Sequence, residues 1–118
     1  MDTGVSGESR VLAVDGDREG GGELSRLLTG AGYNVRRAAD GLSALGEITP
    51  TICPDLVLAA VRLPWLRGVA VGVLAQTEGA RIILLDDAPP AGGLAGAGFI
   101  PTQIDPSGML AAVAGAMR

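Results

Sequence analysis

Acidic side chains carry most of the chemistry open to this chain. Asp15 and Asp17 follow one short apolar run, and Asp86 and Asp87 follow another. Four carboxylates gathered at one edge of a sheet would suit a hard divalent cation, which takes oxygen ligands. The same groups serve equally well as solvated loop side chains and helix N-caps. Trp65 is the only tryptophan. It could cover a pocket or anchor a partner, since tryptophan concentrates binding energy, or lie on its own domain's surface. Cys53 is the single cysteine and has no basic neighbour in sequence, so a structural role is expected of it.

The absences are as informative. The chain contains neither histidine nor lysine. Histidine triads, histidine metal sites and ammonium-dependent mechanisms are therefore excluded. With no base–nucleophile pair, the chain is not expected to be an enzyme, and no cofactor is assigned to it. The glycine run at residues 20–22 opens a helix but lacks Walker spacing. The GLAGAG stretch at residues 93–98 is a dinucleotide-like pattern in the wrong place, and suits a packing turn better.

The elements that must position these residues alternate. Residues 10–15 (RVLAVD) read as a buried strand. Leu24, Leu27, Leu28 and Ala31 then share one helical face, with Gly30 and Gly32 as the stop. A half-exposed strand follows at residues 33–38. Leu42, Leu45 and Ile48 mark a short second helix. Residues 56–61 (LVLAAV) are the most continuously apolar run and read as the central strand. A third helix is expected over residues 66–76, a fourth strand over 82–85 and a short fifth strand at 99–100. Residues 88–93 (APPAGG) cannot form a good helix. Asp105 should cap a last helix with Pro106 at its first position, burying Met109, Leu110, Val113 and Met117. Five such alternations pack as a parallel sheet with helices on both faces. The functional edge is then at the carboxyl ends of the strands.

The 118 residues suit a single domain, 1–118, with residues 1–8 as a flexible N-terminus. Apolar residues make up 47%, which fits a folded chain. The net charge is −4 and the nine arginines are scattered, so direct nucleic-acid binding is not expected. No apolar run is long enough to span a bilayer, and a cytoplasmic location is the expectation.

The motif order resembles the receiver domain of bacterial response regulators. The pieces are VLAVDGD at residues 11–17, AGYNVRRAADGLSAL at 31–45, PDLVLAAVRLPWLRG at 54–68 and GAGFIPTQID at 96–105. The resemblance implies a flavodoxin-like (CheY-like) sheet of strand order 2-1-3-4-5, with the fourth helix shortened or disordered here. In that family an acidic pair holds Mg²⁺, an aspartate after the third strand accepts phosphate, and a Thr or Ser and a Lys respond to it. Here the acidic pair falls on Asp15 and Gly16, the acceptor on Ala60, the Thr/Ser position on Asp86 and the Lys position on Thr102. Gln103 replaces the proline that usually follows. Ala60 offers nothing to phosphorylate, so the resemblance points to a degenerate pseudo-receiver.

Two uses remain. One is phosphorylation-independent association through an apolar face holding Phe99, Gln103, Leu110, Ala112 and Gly115, with a second copy or a partner regulatory protein. Only Asp105 is charged between residues 88 and 117, and an exposed helix normally shows a polar face. An attached or associated DNA-binding output domain would fit this role. The other use is small-molecule sensing in the vacated pocket of Asp15, Asp17, Trp65, Asp86 and Asp87.

Overall fold

A computed structural model of the chain describes residues 9–14, 21–51, 53–61, 67–86, 94–101 and 104–117, with the side chains of 21–23 excepted. The described residues form nine elements in this order: β1 (Arg10–Val14), α1 (Gly21–Gly30), β2 (Asn34–Ala38), α2 (Gly41–Glu47), β3 (Leu56–Ala60), α3 (Gly68–Thr77), β4 (Arg81–Asp86), β5 (Gly98–Pro101) and α4 (Pro106–Ala116). The strands form one parallel sheet of order β2-β1-β3-β4-β5. This is the order expected of a flavodoxin-like, CheY-like sheet.

Burial follows from the strand period of two. In β3 every residue is buried, because both faces of a parallel sheet are covered. Val57 and Ala59 point into one core layer with Leu12, Val14, Val71, Ala75, Ile82 and Leu84. Leu56 and Leu58 point into the other, with Val11, Leu28, Ile83, Leu85, Ile100 and Val113. Helices α2 and α3 cover the first layer; α1 and α4 cover the second. The edge strand β2 is mostly exposed, as its arginines suggest.

The local signals explain the boundaries. α1 ends where Gly32 turns to φ +100°, a conformation glycine adopts without strain. Asp40 caps α2, its Oδ1 accepting from the Ser43 amide at 2.7 Å. Asp105 caps α4 as expected, accepting from the Gly108 amide at 2.9 Å, with Pro106 in the first turn. Met109, Leu110 and Met117 pack partly buried around the fully buried Val113.

One expectation needs correction. α3 begins at Gly68, not at residue 66, because Arg67 is extended (φ −68°, ψ 152°) as its N-cap. The chain there is tied to the sheet, the Gly68 amide donating to the Val61 carbonyl at 3.0 Å. In α2, whose presence Leu42, Leu45 and Ile48 mark, Gly41 and Ala44 form the buried face and Ile48 just beyond the helix is buried, while Leu42 and Leu45 stay exposed. Small residues let the helix lie close to the layer beneath, and the leucines are carried outward. The shortened fourth helix expected at residues 88–93 lies outside the described residues.

Gly68 is the tightest join in this architecture. A Cβ there would overlap the Ala60 carbonyl oxygen and lie 2.8 Å from the Ala60 carbonyl carbon. Backbone on that side cannot move without disturbing β3. Gly68→Ala is therefore expected to lower unfolding stability by about 1–3 kcal/mol in urea titration, despite alanine's better helix propensity.

Candidate functional site

The carboxyl edge of the sheet is built by topology. Val14 of β1 stands beside Ala59 of β3, and Ala60 beside Leu85 of β4, so β1, β3 and β4 end together. Asp86 closes β4, opposite Pro101 of β5. Beyond β3 the Val61 amide donates to the Leu85 carbonyl at 2.9 Å, extending the join by one residue. Ala60, the expected acceptor position, lies at the centre of this edge. Its methyl group is buried, with 2% of the residue exposed. A methyl group can neither accept a phosphoryl group nor ligate a metal.

Of the residues singled out in the sequence, Ala60 and Asp86 are thus placed at one edge. Asp86 is half-buried. Asp15, Gly16, Asp17, Trp65, Asp87 and Thr102 lie outside the described residues, as does Gln103. Among the described residues no group of three or more His, Cys, Asp or Glu side chains could hold a metal ion.

The other expected face also separates. Phe99, Leu110 and Ala112 are half-buried, and Leu110 and Ala112 pack onto the second core layer. Gly115 is exposed, and a Cβ there would meet nothing within 4 Å.

The opposite, amino edge holds features that sequence spacing did not disclose. Asp55 ties three strands together there. Its Oδ2 accepts from the Arg10 amide at 2.8 Å, its amide donates to the Arg10 carbonyl at 2.9 Å, and its carbonyl accepts from the Arg81 amide at 3.1 Å. A cleft of about 170 Å³ opens beside it, lined by Arg10, Val11, Leu12, Asn34, Arg36, Glu47 and Pro54. Arg36 is engaged there by Glu47, Nε to Oε1 at 2.7 Å and Nη2 to Oε2 at 3.3 Å. This exposed pair contributes at most about 1 kcal/mol. The cleft is thus at the end of the sheet remote from Ala60.

Cys53 sits near this edge. Its Sγ donates to the Glu78 carbonyl at 3.3 Å and approaches the Pro54 carbonyl at 3.5 Å. Burial, then the Glu78 and Asp55 carboxylates, push its thiol above the ordinary value of 9.0, and Arg10 only partly opposes them. The basic neighbour unseen in sequence is Arg10, brought near by the pairing of β1 with the start of β3.

Comparison with known proteins agrees with this geometry. No family model matches the chain. Its fold is that of response-regulator receiver domains, the CheY-like class. A putative response regulator from Chloroflexus aurantiacus is 26% identical, with a TM-score of 0.77, covering 93% of this chain and 98% of that one. A CheY-like receiver domain protein from Methanospirillum hungatei is 21% identical, with a TM-score of 0.81, covering 93% and 94% of the two chains. In sequence, a 71-residue stretch is 44% identical to the transcriptional regulatory protein PrrA of Mycobacterium leprae. That stretch is 60% of this chain and 30% of the relative's length. No helix among the described residues is long and apolar enough to cross a membrane.

The raised Cys53 thiol gives a direct check. A thiol that stays protonated is a poor nucleophile. Iodoacetamide should label the native chain more slowly than the urea-unfolded chain at pH 8. The native rate should climb only as the pH passes above 9.0, the ordinary value that the folded thiol exceeds.

Proposed function

We propose that this domain is a signalling receiver that works without accepting phosphate on its third strand. The observation that carries this is Ala60, an alanine at the carboxyl end of the central strand, where the family places its acceptor. Asp86 at the end of β4 adds support, since it sets a carboxylate where the family uses a hydroxyl. A phosphoryl group there would meet negative charge where it needs a neutral donor or a cation. The sequence supports the same reading at Gly16 and Thr102, which replace an acidic ligand and a lysine.

In this reading the domain has no enzymatic step of its own. It serves as a fixed regulatory surface, and α4 with β5 meets a partner regulatory protein or an output domain. The similarity to a transcriptional regulatory protein supports a DNA-binding output, attached or associated. Gly115 is the open point on that surface, because nothing stands above it.

Incubation with acetyl phosphate and Mg²⁺, followed by intact-mass measurement, tests the proposal. The expected spectrum shows the unmodified chain alone. A phosphorylated species that maps to an aspartate beside β3 would overturn it.

A further inference from the structure

The exposed large apolar side chains among the described residues are Leu42, Leu45 and Val73. All three fall on α2 and α3, which lie side by side on one face of the sheet. Leu42 is 56% exposed and Val73 49%. On α2, Glu47 turns toward β2, where Arg36 holds it. Leu45, two residues earlier, projects about 200° away around the helix. Leu45 and Leu42 therefore lie on the flank next to α3.

α3 has no charged side chain from Gly68 to Thr77. Its inner residues Gly68, Val71, Gly72 and Ala75 are buried. Its outer residues Ala70, Val73 and Thr77 are exposed. An uncharged helix face next to exposed leucines is an interface waiting for cover.

The charges at the ends of α3 say what covers it. Arg67 is at the N-terminus, exposed, and makes no side-chain cap bond. Glu78 is at the C-terminus. Neither has an ion-pair partner among the described residues. Both signs are opposed to the helix dipole, which favours anions at the N-terminus and cations at the C-terminus. The two charges stand about 16 Å apart along the axis, eleven residues at 1.5 Å each. Val73 lies at the midpoint between them in sequence.

We infer that α3 packs antiparallel against α3 of a second copy of this chain, across a two-fold axis near Val73. In this arrangement Val73 meets its own counterpart, and Ala70 lies near Thr77 of the second copy. Arg67 of each chain then faces Glu78 of the other. The same contact brings a carboxylate to each helix N-terminus and a guanidinium to each C-terminus, which reverses both dipole conflicts. An isologous interface requires this self-complementarity, with the same patch on both subunits. Leu42 and Leu45 extend the apolar contact on either side of the axis. The inference does not rest on the phosphate reading and concerns the opposite face of the sheet from α4.

Sedimentation equilibrium on the whole chain over a concentration series tests it, with circular dichroism reporting folding. The expected result is a concentration-dependent dimer. Val73→Glu, at an exposed site, should give a folded monomer. Arg67→Glu and Glu78→Arg should each raise the dissociation constant on the order of tenfold, by replacing attraction with repulsion at both ends. The double reversal should bring it back close to the original value. A chain that stays monomeric throughout overturns the inference. So does a dimer that Val73→Glu leaves intact, or a double reversal that binds no more tightly than either single one.

Discussion

The pairing of β3 between β1 and β4 is the constraint on which the rest of the molecule depends. Every side chain of β3 is buried, so neither face of the strand can tolerate a polar substitution without a partner. Its register with both neighbours aligns three strand ends at one edge and three strand starts at the other. The carboxyl edge is closed by α3, whose first residue lies against the Ala60 carbonyl. The amino edge is closed by Asp55, which bonds to the backbone of β1 and β4 at once. A chain locked at both ends of its central strand has a rigid platform and little freedom to reshape it.

That rigidity bears on how a signal would pass. A receiver that switches needs a charged trigger at the strand ends and groups that respond to it. Here Ala60 occupies the central position, and among the described residues Asp86 sets a carboxyl group at that edge. A methyl group at Ala60 offers phosphate no acceptor. In the proposed reading, the domain presents surfaces that do not change. The two helix layers offer such surfaces on opposite sides: small residues on α4, and leucines with an uncharged α3 on the other.

Much of the fold was legible in the sequence, for physical reasons that can be named. The unbroken apolar run at residues 56–60 marks a strand covered on both faces, and it is the central one. Asp105 followed by Pro106 marks a helix start, and the carboxylate caps it. Ala60 was placed by motif order, and the strand register sets it at the carboxyl end of β3 beside Leu85 of β4. The misread parts share a cause. Spacing alone cannot say which side of a short helix goes inward when glycine and alanine permit closer approach than leucine, so the burial of Gly41 and Ala44 beneath exposed Leu42 and Leu45 left no mark in the sequence. Nor can spacing show that Arg10 lies near Cys53, because strand pairing brings together residues 43 positions apart. The start of α3 was set by a backbone bond to Val61, which leaves no mark in composition.

The central claim is that the carboxyl edge no longer responds to a phosphoryl group. The most direct measurement is a two-dimensional amide spectrum of the chain recorded with and without beryllofluoride and Mg²⁺, a mimic of the phosphorylated aspartate. The account predicts superimposable spectra, including the amides of Val61, Gly68 and Asp86. Shifts that saturate with beryllofluoride and cluster at the ends of β1, β3 and β4 would contradict it, and would mean that a phosphate-responsive switch survives in this domain.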